Sequence, residues 1–162
     1  MAILHVCGCS NPKCTCEFVF TTNGTGLGKE TYWKYHKAIT RDIAAGEYGK
    51  ELQLAMQSPD SVYLSTATEY SYCPKCNMMD FGGRILVYLH KEGKKVELVY
   101  DDWNGTYHLS GFNSNKFYRE VLRLPTPCWR CGGELQFFGR YEDMKCPKCG
   151  SRMEDRESKW GR

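Results

Sequence analysis

Cys128-Trp129-Arg130-Cys131-Gly132-Gly133, followed by Cys146-Pro147-Lys148-Cys149-Gly150, decides how this chain is read. Each half is a Cys-x-x-Cys turn, and 14 residues separate Cys131 from Cys146. Such a turn brings two sulfurs within reach of one ion and aims backbone N–H groups at the first sulfur. Zinc takes four ligands at tetrahedral corners, and four thiolates close a structural site with no position left for a catalytic water. Gly132 and Gly150 follow the second cysteine of each turn, where the tight bend favours a positive φ. Residues 134–138 and 141–145 are spaced to pair as a short hairpin across Gly139-Arg140. The expectation is a zinc ribbon over residues 125–162, with Cys128, Cys131, Cys146 and Cys149 as its ligands. Two disulfides or a redox Cys-x-x-Cys compete less well, because two turns of matching chemistry point to one shared ion.

The same turn stands upstream as Cys73-Pro74-Lys75-Cys76-Asn77, with Asn77 where Gly150 stands. Asn tolerates the left-handed region better than most residues. Nearer the N-terminus, Cys7, Cys9, Cys14 and Cys16 fall within ten residues. Pro-Lys-Cys occurs three times, ending at Cys14, Cys76 and Cys149. This implies a second ribbon, split by a long insertion, with Cys73 and Cys76 as one half and an N-terminal pair as the other. Cys9 and Cys14 are the favoured pair, since knuckles prefer about two to four intervening residues. Cys7 with Cys9, Cys14 with Cys16, or a two-zinc cluster of all six upstream cysteines are the alternatives. Two zinc ions are therefore expected, or three if Cys7 and Cys16 join a cluster.

Composition fits this reading. Of 162 residues, 41% are hydrophobic and 25% charged, which is a globular balance. No apolar run is long enough for a bilayer, and Met1 to Val6 lacks the pattern of a secretory leader, so a cytoplasmic protein is expected. Ten cysteines in a reducing compartment are better read as metal ligands than as disulfides. The formal charge is +3, but eight thiolates bring −8 and two zinc ions +4, so the loaded chain would sit near −1. Net basicity is thus no evidence for nucleic acid; a basic face has to be local.

Between the cysteine turns, residues 17–22 alternate like a strand. Asn23-Gly24-Thr25-Gly26-Leu27-Gly28-Lys29-Glu30 looks like a phosphate loop but lacks its first glycine and its closing hydroxyl, and reads as a turn before a helix. Residues 31–45 carry Tyr35, Ala38, Ile39 and Ile43 at helical spacing, with Gly46 as the stop; 49–57 is a second short helix. Strands are expected at 62–66, 70–73, 84–89, 96–100, 107–109 and 117–124, with 84–89 and 96–100 joined as a hairpin. Asp101 and Asp102 are adjacent turn residues that point apart, so they do not make a catalytic pair. No catalytic residue is assigned.

The residues Cys128 to Leu135 with Cys146 to Gly150 resemble the zinc-ribbon superfamily. Gly8-Cys9-Ser10-Asn11-Pro12-Lys13-Cys14 resembles a knuckle of the ribbons that end bacterial type I topoisomerases, which implies contact with single-stranded DNA. Residues 1–90 with the C-terminal ribbon are similar to uncharacterised bacterial proteins that carry an N-terminal split ribbon. In those, a helical stretch like Ile43 to Gly49 lies between the halves, and no activity is implied.

Together these readings give an α+β protein. It would have a split ribbon at 1–90 with a helical insertion at about 23–60, a strand-rich segment at 91–124, and a C-terminal ribbon and tail at 125–162. Binding is expected rather than catalysis. Nucleic acid leads, through Arg130, Arg140, Tyr141, Lys145, Lys148 and Arg152 in the ribbon. A protein-interaction module, such as an adaptor or inhibitor, is the rival; a thiol redox or metal-handling role for Cys7 and Cys16 is the third reading. No membrane partner is expected.

Overall fold

The computed structural model describes residues 3–21, 29–58, 61–66, 69–92, 98–101, 106–109 and 114–160. Most of the phosphate-loop-like stretch and the turn after Asp101 lie outside the described residues. The fold is α+β and consists of small antiparallel sheets with one long helix. Among the described residues, no helix is long and apolar enough to cross a membrane.

The chain divides into two compact units. The first is assembled from three separated segments, 1–29, 67–84 and 125–162, and the second from 30–66 and 85–124.

In the first unit, β1 (Ile3–Cys9) lies between β2 (Glu17–Thr21) and β11 (Met153–Trp160). A second sheet places β4 (Tyr70–Cys73) between β5 (Met78–Phe81) and β10 (Gln136–Phe138). Period-two alternation sends Phe18, Phe20, Cys7 and Cys9 inward, where they pack with Cys16, Tyr72, Met79, Met144, Cys146 and Met153. Aromatic edges close this core: Phe18 meets Tyr72 at 5.7 Å, and Tyr70 meets Phe81 at 5.1 Å and Tyr141 at 5.4 Å.

Two expectations fail here. Residues 134–138 and 141–145 do not form a hairpin: β10 pairs with β4, placing Gln136 opposite Tyr72 and Phe138 opposite Tyr70. Tyr141–Asp143 is instead a 3-10 turn that sets Tyr141 against Tyr70 and leads to the buried Met144. The stretch from 153 on is also no loose tail. It is the strand β11, running antiparallel to β1 with Cys9 opposite Met153 and Cys7 opposite Asp155. The register shifts between Val6 and Cys7, so Arg156 is an extra residue that bulges the strand.

The second unit packs α1 (Lys29–Ala45) and α2 (Lys50–Ala55) with a sheet of order β3 (Val62–Thr66), β6 (Arg84–His90) and β9 (Tyr118–Pro125). Ile39 and Ile43, one helical turn apart, join Leu52, Leu64, Ile85, Val87 and Leu89 in its core. Gly46 ends α1 with φ 88: its N–H reaches the Ile43 carbonyl and the Glu47 N–H the Asp42 carbonyl, a Schellman cap. Among the described residues, 84–89 and 98–100 do not pair as the expected hairpin. β6 is flanked on both sides by β3 and β9, while β7 (Leu98–Asp101) pairs with β8 (Thr106–Leu109). The short helix α3 (Ser114–Phe117) leads into β9.

Candidate metal centres

Eight of the ten cysteines gather into two groups of four sulfurs in the first unit. Cys9, Cys14, Cys146 and Cys149 form one; Cys73, Cys76, Cys128 and Cys131 form the other. Within each group all four Sγ atoms lie within 4.8 Å of one another. Cys9 and Cys149 are 3.4 Å apart, and Cys14 and Cys146 3.7 Å. In the other group, Cys73 and Cys131 are 3.4 Å apart, and Cys76 and Cys128 3.6 Å. A disulfide needs about 2.05 Å. Four sulfurs held about 2.3 Å from a tetrahedral ion stand about 3.8 Å apart. The spacing therefore fits a four-coordinate ion and excludes disulfides within these pairs.

The eight sulfurs are those expected from the sequence, but the grouping is crossed. The sequence order suggested Cys9 and Cys14 with Cys73 and Cys76, and Cys128 and Cys131 with Cys146 and Cys149. The structure joins the first turn to the fourth and the second to the third. The sheets decide this. Pairing of β1 with β11 and a hydrogen bond from the Ser10 N–H to the Arg152 carbonyl (2.9 Å) bring Cys9 beside the Cys146–Cys149 turn. Pairing of β4 with β10 brings Cys73 beside the Cys128–Cys131 turn. The 14 residues after Cys131 thus link the two centres instead of spanning one. The centres are nested: an outer one joining residues 9 to 149, and an inner one joining 73 to 131.

Each turn has the expected local geometry. The Gly132 N–H bonds to the Cys128 carbonyl and the Gly150 N–H to the Cys146 carbonyl, both at 2.8 Å. Asn77, Gly132 and Gly150 follow the second cysteine with φ 52, 67 and 73. The longer Cys9–Cys14 turn is braced by Asn11, whose N–H points at Cys9 Sγ (3.4 Å) and whose Oδ1 accepts from the Lys13 N–H (3.0 Å).

Electrostatics within the groups call for a cation. Hydrogen bonds from the Ser151 hydroxyl and N–H pull the Cys149 thiol down to about 6, whereas burial pushes Cys9 up to about 12. In the inner group burial raises Cys73, but the Cys76 N–H and the thiols of Cys131, Cys76 and Cys128 outweigh it and hold Cys73 near 7. Burial pushes Cys76 up to about 12. Each centre mixes thiols held down, Cys149 and Cys146 in the outer and Cys73 in the inner, with crowded neighbours pushed up, and a divalent ion removes that conflict. Cys7 and Cys16 belong to neither group. Both are buried in the core, at 1% and 3% exposure, and burial pushes Cys7 up to about 12. The six-cysteine upstream cluster is therefore not formed.

No protein-family profile, curated protein or solved structure matches this chain. What the centres can do rests on their own geometry.

The cations expected to lie together on one ribbon are divided by the crossing. Lys145, Lys148 and Arg152 are exposed beside the outer centre, with Lys145 bridged to Arg152, whereas Arg130 belongs to the inner one. Tyr141 is half-buried against the core, its ring edge-to-face with Tyr70. Two cations passed over in the sequence matter more: Lys13 and Lys75, both exposed, sit inside the Cys9–Cys14 and Cys73–Cys76 turns. The threefold Pro-Lys-Cys was their signal. A cation thus lies within every cysteine turn, and each centre presents two. Trp129 is the exception to the pattern, standing where two other turns have proline; it is 49% exposed.

Proposed function

We propose that this is a non-catalytic zinc protein whose two four-cysteine centres hold the first unit together and present a basic surface to nucleic acid. Cys9, Cys14, Cys146 and Cys149 would bind one zinc ion, and Cys73, Cys76, Cys128 and Cys131 the other. A zinc ion with four thiolates carries a net charge of −2, which the two cations of each pair of turns offset. The observation that carries the nucleic-acid reading is the outer centre, where exposed Lys145 and Arg152 add to Lys13 and Lys148. Against the −2 of the centre alone these four cations leave a surplus of two, which phosphates complement, while Glu142, Asp143, Glu154 and Asp155 flank Lys145 and Arg152 in the chain.

The test is fluorescence anisotropy of zinc-loaded protein with labelled nucleic acid over a range of salt. Affinity should fall steeply with salt, and the double variant Lys13→Ala/Lys148→Ala should flatten the log–log slope by about 2, one per lost phosphate contact. Binding with no salt dependence, or an unchanged slope in that variant, would refute the reading. A protein-interaction surface is the second reading. It is favoured by Leu4 and Val19, which stand 36% and 58% exposed on β1 and β2; such a contact would be insensitive to salt. Burial of Cys7 and Cys16 supports a packing role for those thiols over a redox one.

A further inference from the structure

Trp129 is an unusual residue to leave open. Its indole N–H donates to Asp80 Oδ2 at 3.1 Å, so the ring is held in place while 49% of the residue remains exposed. The second carboxylate oxygen of Asp80 accepts from the Phe81 N–H at 2.8 Å, which anchors the anchor to β5. The Arg130 guanidinium lies over one face of the indole, 5.2 Å from the ring centre, so a stacking partner would take the other face. Lys75 stands in the facing turn of the same centre, and its side chain runs along Gly133 so closely that a Cβ there would meet it at 3.3 Å. A cleft of about 480 Å³ is lined by Arg130, Asp80, Asn77, Met78 and Val19 among others, and so shares with the tryptophan its neighbour Arg130 and its hydrogen-bond partner Asp80. The inner centre thus combines a fixed aromatic face, two cations and an adjoining groove with an apolar side.

We infer that this is a binding site for single-stranded nucleic acid, with an unpaired base stacked on Trp129 and its phosphates held by Arg130 and Lys75. It rests on the nucleic-acid reading above and adds which form is bound and where. The chemistry selects the form. An open aromatic face requires a base whose own face is free, and within a duplex neighbouring bases cover both faces. The cations of the outer centre make no such distinction, because phosphates line either form. Pinning the indole in advance means that little side-chain freedom is lost on stacking.

The experiment compares a short oligothymidylate with a duplex of equal length, on the full-length, zinc-loaded chain. The single strand should bind more tightly. Trp129→Ala should weaken it by roughly 5–150-fold, the loss expected for one stacked base, and change duplex binding less than about twofold. Trp129→Phe separates stacking from support. It keeps a ring but loses the bond to Asp80, so it should retain most of the affinity if the face is what binds. Zinc content and circular dichroism confirm that each variant is folded, and the phenylalanine variant carries the test should the alanine variant unfold. Equal affinity for both forms, no effect of Trp129→Ala, or a Trp129→Phe variant as weak as a folded Trp129→Ala would overturn the inference. Each of those results leaves salt-dependent nucleic-acid binding standing. Failure of both probes to bind at low salt would overturn the two readings together.

Discussion

Replacing one cysteine from each end of the chain tests the crossed pairing directly. Cys9 and Cys149 lie 140 residues apart in sequence, and their sulfurs 3.4 Å apart in space. An ion joining them removes loop-closure entropy from the unfolded chain. The relation used for disulfides puts a 140-residue loop at about 5 kcal/mol, and the 58-residue Cys73–Cys131 loop at about 4 kcal/mol. A closed inner loop shortens the outer one, but the dependence is logarithmic and the figure falls only slightly. Whole domains are stable by about 5–15 kcal/mol, so loss of the outer centre should remove a large share of stability. The Cys9→Ser/Cys149→Ser double variant should therefore lose one zinc ion, unfold at a much lower urea concentration, and be hardly worse than either single variant, because all three lack the same centre. Cys9→Ser/Cys76→Ser should lose both ions, where the sequence-order pairing would lose only one. Native mass spectrometry reads the count. If Cys9→Ser/Cys149→Ser held no zinc while Cys9→Ser/Cys76→Ser held one, the sequence-order pairing would be correct and the crossed one wrong.

Two further outcomes follow from the first unit. Burial, and then the charges of Asp155 and Glu142, push the Tyr141 phenol up to about 12 from 10. With the folded value above the unfolded one, its contribution is full below pH 10 and is lost as pH rises through about 12. Urea midpoints of the wild type should fall across that window more than those of Tyr141→Phe, and parallel curves would contradict the assignment. Gly83 and Gly150 both have positive φ, at 91 and 73. A Cβ on Gly83 would meet the Leu135 side chain at 2.8 Å, whereas one on Gly150 meets nothing within 4 Å. Gly150→Ala should therefore cost about 1 kcal/mol of backbone strain, and Gly83→Ala that strain plus the smaller cost of moving the Leu135 methyl aside; denaturant titration that ranks them the other way refutes the packing argument.

The sequence made the turns legible because their determinants are local. Cys-x-x-Cys, with a residue tolerant of the left-handed region after it, fixes each knuckle within a few residues, and Asn77, Gly132 and Gly150 all adopt that conformation. The α1 face of Tyr35, Ile39 and Ile43 is equally local, and so is the Gly46 stop. Which turn meets which is not local. It depends on β1 finding β11 and β4 finding β10, strands far apart in sequence whose side chains carry no label for one another. The strand β11 was hidden for a related reason: Met-Glu-Asp-Arg-Glu-Ser-Lys-Trp reads as mixed charge, and its bulge at Arg156 breaks the alternation. Tyr141 looked like a surface aromatic because only the packed unit shows Tyr70 beside it.

Nesting also gives the chain an order of assembly during synthesis. The inner set of cysteines is complete once Cys131 has left the ribosome, when the outer set still lacks Cys146 and Cys149. Cys9 and Cys14, made before either half of the inner set, wait until Cys149 has followed. A chain cut short anywhere between Cys131 and Cys146 would keep one complete set of ligands and leave Cys9 and Cys14 without theirs. An ion at the outer set would then report on length: only a translation product that runs to Cys149 could hold it, and one that falls short would present two unclaimed thiols and a β1 paired with β2 but open on its β11 side.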